Sequence, residues 1–163
     1  MPTARFSQEV RKFSKSADYR FYIVGAGDFS DLIPLIYRDR NVVHVGKVPV
    51  VSPVVLKGRV CVAPLVSGAG FRGKTVQYAE LGRPCVSTSI GVSGLAFRND
   101  ELILVEDSPD LFAKRVVDLI SNSDDWERIT SSAIETANEY CGWGPRVLAL
   151  ESLYNSQAST CEI

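Results

Sequence analysis

From Arg59 to Thr88 the chain reads RVCVAPLVSGAGFRGKTVQYAELGRPCVST, and no other stretch limits the fold so strictly. Val60 to Leu65 is an apolar run of strand length. Cys85 to Thr88 is a second short run of strand-forming residues, and a helical segment through Thr75, Val76, Gln77, Tyr78 and Ala79 separates the two. Strand, helix and strand in that order make a β-α-β unit, which requires a parallel sheet with right-handed crossovers. The link from strand to helix is Ser67-Gly68-Ala69-Gly70-Phe71, with Arg72 and Lys74 at the helix mouth. First-turn N–H groups of a helix lack partners inside it, and the helix dipole adds partial positive charge at the same place. Glycines let the main chain approach a diphosphate, lysine supplies a point charge and arginine a two-pronged contact. The segment therefore reads as a seat for a phosphate-type anion. The fold class that follows is α/β, a Rossmann-like three-layer domain with a mostly parallel sheet.

The same residues admit a second reading. Gly68 to Thr75, GAGFRGKT, satisfies the P-loop spacing of a glycine, four residues, then Gly-Lys-Thr. A nucleotide hydrolase built on that loop normally carries it after its first strand, with an acidic strand end downstream to hold magnesium. Here the loop comes late in the chain. The strand-end acids after it are Glu106 and Asp107, which close LILVED and stand directly before a helix start. Context thus argues against the hydrolase, which stays open as the alternative. Gly25-Ala26-Gly27 after the strand Arg20 to Val24 invites a dinucleotide fingerprint, but the third glycine position holds Ser30 and no acid ends the next strand. A tight β-to-α turn explains those glycines, as does a turn lining a cleft.

With 163 residues the chain has room for one domain and a substantial core. Hydrophobic residues make up 45%, charged residues 23%, and the net charge is -1, which is ordinary for a globular α/β protein and gives no sign of a nucleic-acid partner. No apolar run reaches membrane-span length, and the N-terminus lacks a signal-peptide core, so a cytoplasmic location is the expectation. Cys61, Cys85, Cys141 and Cys161 form no C-x-x-C pair. The first two sit in strand-like runs, where a thiol acts as a small hydrophobe. With a single histidine, His44, neither a cysteine-histidine nucleophile nor a metal site is expected.

Residues 1–5 read as a linker, 6–154 as the domain and 155–163 as a flexible tail. Helical patterns start at Phe6 and span Asp31 to Tyr37. The segment Asn41 to Val48 is a strand closing on a glycine turn, and Val50 to Lys57, broken by Pro49 and Pro53, is a loop or short irregular helix. Ser89 to Gly94 forms a second glycine-bearing loop at a strand's carboxyl end, where ligands of open α/β sheets bind, and Leu102 to Val105 is the last strand. Ser108-Pro109-Asp110 starts a helix expected to bury Leu111, Phe112, Val116, Leu119 and Ile120. Ser123 is taken as the cap of the next, with Trp126, Ile129, Ala133, Ile134 and Ala137 on one side. Cys141 to Pro145 stops that helix, and a short amphipathic segment runs from Arg146 to Tyr154.

One further set of residues carries a resemblance. VAPLVSGAGFRGKTVQYAELGRPCVSTSIGVSGL is similar to the C-terminal, nucleotide-sugar-binding domain of retaining glycosyltransferases of the GT-B fold, the glycosyl transferases group 1. Pro64, Gly68, Gly70, Lys74, Gly82, Pro84 and Gly94-Leu95 occupy that family's motif places, and the likeness extends from YRFYIVGAGDF to Cys141-Gly142-Trp143. The resemblance implies a hexosyltransferase-like enzyme of glycan or polysaccharide synthesis. It takes a nucleotide-diphosphate sugar and needs no cofactor. It also implies an N-terminal acceptor-binding domain outside this chain, so that the isolated chain binds nucleotide without transferring sugar. Arg72 and Lys74 are implied as the catalytic cations. Gly46, Lys47 and Val48 are implied beside the base, Ser67, Gly68, Ala69, Gly70 and Phe71 around the diphosphate, and Gln77 at the ribose. Two departures stand out: where the family carries two glutamates with seven residues between them, this chain has Ala69 and Gln77. Gln77 still offers donors and an acceptor to a ribose, whereas Ala69 replaces no carboxylate. That loss keeps a non-catalytic interaction module open as a third reading. The resemblance also places a strand before Phe6 that the chain lacks. It leaves open a peripheral membrane contact of the full enzyme and self-association of the isolated domain through the apolar side of its last helix.

Overall fold

The computed structural model describes residues 19–27, 30, 39–95, 103–141 and 143–158. The helical patterns from Phe6 and from Asp31 to Tyr37 lie outside those residues. Five strands are present among the described residues: β1 (Phe21–Val24), β2 (Val42–Gly46), β3 (Cys61–Ala63), β4 (Cys85–Ser87) and β5 (Ile103–Val105). The helices are α1 (Ser52–Lys57), α2 (Gly73–Glu80), α3 (Pro109–Ser121), α4 (Ser123–Cys141) and α5 (Trp143–Ala158), with a 3-10 turn at Ile90–Val92. Every strand pairing is parallel. Among the described residues the strands fall into two groups: β1 pairs with β2, and β3, β4 and β5 pair in that order.

Side-chain alternation along β4 and β5 sorts the core into two layers. Val86 and Leu104 point to one face, where Phe112, Ala113, Val116 and Leu119 of α3 cover them together with Ile129 of α4. Cys85 and Ile103 point to the other face with Ala63, against Ala79 of α2 and Ala133 and Ala137 of α4. Helices thus lie on both faces of this parallel group, and β4 and β5 have no wet side. Alanines on α2 and α4 let those helices approach closely.

α2 ends in a Schellman cap. The Gly82 N–H donates to Ala79 O (2.9 Å), the Arg83 N–H donates to Tyr78 O (2.9 Å), and Gly82 sits at φ 59. A side chain at residue 82 would come within 2.9 Å of Ile134 Cδ1, so the glycine also sets the α2–α4 contact. At the amino ends of β3 and β4, Trp126 Nε1 donates to Arg59 O (2.6 Å). The Arg59 and Arg83 guanidinium carbons lie 5.3 and 5.6 Å from the indole centre.

Several local expectations are corrected. Ser123 is the first residue of α4, and the cap is Asn122, whose Oδ1 accepts from the Asp124 and Asp125 N–H groups (3.1 and 3.2 Å). Asn122 suits this place because its short amide bonds the next backbone turn. Leu111, Ile120 and Ile134 are exposed, since the buried stripe of α3 turns on Ala113 and that of α4 on Ala133 and Ala137. Pro53 opens α1, and α5 starts at Trp143, ahead of Pro145; in a first turn a proline gives up no helical hydrogen bond. α5 continues to Ala158, past the Tyr154 boundary. Its Leu148, Leu150, Leu153 and Tyr154 are exposed.

Candidate anion site at the carboxyl ends of the strands

Three of the parallel strands deliver loops to one end of the fold, and the loop after β3 is the most open. Residues 66–71 of this loop are exposed. Gly68 and Gly70 have φ of 130 and 92, a region that side chains rarely enter, so the turn into α2 depends on them. Arg72 precedes the first turn of α2, and that helix start has no side-chain cap. The Thr75 and Val76 N–H groups donate to Arg72 O (3.0 and 3.3 Å), which leaves those of Gly73 and Lys74 at the helix start for an anion to complete. Lys74 stands exposed in that turn.

Arg72 does not extend outward. Its Nη2 donates to Gly68 O (2.9 Å), and its Nε is buried without a partner. The guanidinium therefore braces the loop it follows, with Nη1 beside Gly68. Gln77 and Lys74 line a cavity of about 900 Å³ that runs back along α2 toward β1 and β3. Gly46, Lys47 and Val48 close β2 in the other strand pair, with Gly46 at φ 76 and its carbonyl accepting from Gly25 N–H (2.9 Å). The structure thus gathers Ser67, Gly68, Ala69, Gly70, Phe71, Arg72 and Lys74 on one loop and helix start. It sets Gln77 further along α2, and the Gly46 turn at the end of a neighbouring pair of strands.

The loop after β4 is built differently. Thr88 Oγ1 donates to Leu65 O (2.6 Å) and accepts from the Gly91 N–H (3.2 Å). Ser87 Oγ lies 3.3 Å from Ala63 O, to which it donates, and Thr75 Oγ1 donates to Gly91 O (2.9 Å). These bonds fasten the loop to β3 and to α2. They went unread in the sequence because a serine or threonine at a strand end gives no sign of its tertiary partner.

This stitching also decides against the P-loop reading. The Thr75 hydroxyl that would sit on magnesium is buried and bound to Gly91 O. Of the two downstream acids, Asp107 accepts from Ser89 N–H (2.8 Å) and Glu106 from Ser108 N–H (3.2 Å), so both hold loop amides. Among the described residues no group of three or more His, Cys, Asp or Glu is placed to hold a metal ion.

Behind the site, Cys61 and Cys85 are register partners on β3 and β4. Burial pushes the Cys61 thiol up to about 12, against a smaller opposite pull from the Arg83 charge. Burial likewise raises Cys85, fully enclosed, and the Tyr78 hydroxyl. All three stay protonated at neutral pH, as core groups do. No helix among the described residues is long and apolar enough to cross a membrane.

The model of a family described as "Glycosyl transferases group 1" matches residues 3–122. Among solved structures, Anabaena Alr3699/HepE in complex with UDP is 13% identical with a TM-score of 0.77, over 97% of this chain and 44% of that one. Sucrose-phosphate synthase (tll1590) from Thermosynechococcus elongatus is 14% identical with a TM-score of 0.76, over 98% and 43%. A glycosyltransferase from Rickettsia africae ESF-5 is 12% identical with a TM-score of 0.78, over 95% and 44%. At these identities the likeness establishes the fold, and the chain spans less than half the length of the structures it matches. No curated protein sequence matches it.

Proposed function

The chain belongs to the glycosyl transferases group 1 family, and from that membership we propose that it is the donor-binding domain of a larger retaining glycosyltransferase. The observation that carries the reading is the uncapped start of α2 facing a loop held open by Gly68 and Gly70, with Lys74 beside it. In this reading the first-turn amides and the Gly68–Gly70 main chain hold the diphosphate of a nucleotide sugar. Lys74 supplies a cation, and Arg72 positions the loop through Gly68 O and turns its free Nη1 edge to a phosphate oxygen. The Gly46 to Val48 turn borders the base, and Gln77 bonds the ribose. That a solved relative of the same fold was captured with UDP and with UDP-glucose supports this choice of ligand.

The chemistry follows from charge. As the bond from the sugar carbon to the diphosphate breaks, its electron pair stays with the leaving oxygen, and negative charge grows on the nucleoside diphosphate. Donors fixed in advance around that group stabilise the transition state more than the ground state.

The test is calorimetric titration of the purified chain with UDP, GDP, ADP and ATP, with and without magnesium, beside the Lys74→Ala variant. Metal-independent binding of one nucleoside diphosphate, weakened about tenfold or more in the variant, is expected; one lost charge-assisted contact of about 1.4 kcal/mol gives that factor. Magnesium-dependent preference for ATP, or binding indifferent to Lys74, overturns the reading.

A further inference from the structure

The loop after β3 is apolar where it is most exposed. Between Leu65 and Phe71 the one polar side chain is that of Ser67. Val66 is 62% exposed and Phe71 70%, and Ala69 between them is exposed too. The Phe71 ring has a defined place. A side chain at Gly73 would stand 3.5 and 3.6 Å from its Cδ1 and Cε1, so the ring lies against the first residue of α2. At Gly70, between Ala69 and Phe71, a side chain would meet nothing within 4 Å. A methyl group and an aromatic ring thus border open space next to the helix start that offers the Gly73 and Lys74 N–H groups.

The direction of a nucleotide sugar on this site follows from α2. Gln77 lies one turn beyond Gly73 and Lys74 on the same side of the helix, so a nucleoside held there leaves the diphosphate at the helix start. The sugar, at the other end of the diphosphate, then meets the loop tip. No residue from Leu65 to Thr75 is acidic. Glu106 and Asp107, at the carboxyl end of β5, are engaged with the Ser108 and Ser89 N–H groups (3.2 and 2.8 Å). A sugar hydroxyl turned to Val66, Ala69 or Phe71 gives up water and gains no partner, whereas a methyl group gains by the same burial.

We propose that the donor sugar carries a methyl group, as a 6-deoxyhexose or an N-acetylated hexosamine does, and that this methyl packs on Phe71 and Val66. The inference rests on the nucleotide-sugar reading and narrows it to a class of donor. Phe71 is its specificity-determining residue, because it supplies the largest apolar surface of the loop and is seated against α2 beside the diphosphate. Taking one methyl group out of water is a factor of about four in affinity, and sparing a hydroxyl an unpaired burial adds to it.

The experiment is calorimetric titration of the whole chain with UDP, GDP and ADP, each free and joined to glucose, 6-deoxyglucose or N-acetylglucosamine. In the series of the base that binds, one of the two methyl-bearing donors is expected to bind about fivefold or more tighter than the glucose donor, and which one does so tells the two sources apart. Phe71→Ala is expected to bring that ratio to about one, and Phe71→Leu, which keeps an apolar side chain, to retain it. The ratio is taken within each variant, so a general loss of affinity or stability does not move it. Glucose bound as tightly as both methyl-bearing sugars, or a ratio unchanged in Phe71→Ala, overturns this inference and leaves the nucleotide reading standing. Failure of all three free diphosphates to bind overturns that reading, and this inference with it.

Discussion

The loops after β3 and β4 leave adjacent parallel strands at the same end of the molecule, yet they are built by opposite means. The β4 loop spends its polar groups on the protein: Ser87, Thr88 and Gly91 are buried and bonded to β3 and α2. The β3 loop leaves its own groups outward, with exposed residues from Val66 to Phe71, positive-φ glycines and an uncapped helix. A binding surface needs both kinds. Unsatisfied donors gain from a ligand only when something rigid beneath them keeps their positions fixed, and the β4 loop is that support.

The contrast can be broken most forcefully at the glycines. A methyl at Gly91 would stand 2.2 Å from Ser87 Oγ and 3.0 Å from Ala63 O, whereas one at Gly70 meets nothing within 4 Å. Gly91→Ala is therefore expected to lose about 3 kcal/mol of stability by overpacking, and Gly70→Ala about 1 kcal/mol through its backbone alone. Urea unfolding of both variants measures this, and equal losses would erase the distinction between the loops.

A smaller effect sharpens it. Thr75→Val removes the buried hydroxyl and leaves Gly91 O without that donor, at a cost of roughly 1–2 kcal/mol. Its affinity for a nucleoside diphosphate is expected to stay within about twofold of the parent by calorimetry. A large loss of affinity without loss of stability would return Thr75 to the ligand.

The smallest effect near neutrality is the pH response of the core beneath both loops. Cys61, Cys85 and Tyr78 all have folded values above their ordinary ones, so the folded state holds their protons more tightly than the unfolded chain. Their contribution is complete below the ordinary thiol value of 9.0 and is lost as pH rises from there toward about 12. Thermal melts at intervals above pH 8 should show a falling midpoint from about pH 9. A midpoint that rises over this range contradicts burial of these groups.

Much of this was legible in the sequence because local and tertiary signals agree between Arg59 and Thr88. Apolar runs of strand length, glycines where φ is positive and cations at a helix mouth each mean the same thing alone as they do when folded. Gly82 was placed by its motif, and the structure adds the reason, a Schellman cap pressed against Ile134. Asn122 was missed because Ser123 is an equally good capping type, and only the hydrogen bonds choose between neighbours. Leu111, Ile120 and Ile134 were misplaced because periodicity favours large apolar residues, while the tight helix contacts use Ala113, Ala133 and Ala137. The division into two strand groups was not expected either. A run of strands announces pairing, but nothing in it states which pair fails to touch.

Trp126 has an optical meaning. Its indole is held beside Arg59 and Arg83 at the amino ends of the strands, while the β3 loop lies at their carboxyl ends. Emission from that ring, isolated from the only other tryptophan by Trp143→Phe, is a built-in position sensor. It responds when the amino ends of β3 and β4 loosen around Arg59 and Arg83 and stays silent when an anion settles on α2, so one cuvette distinguishes the two ends of the molecule.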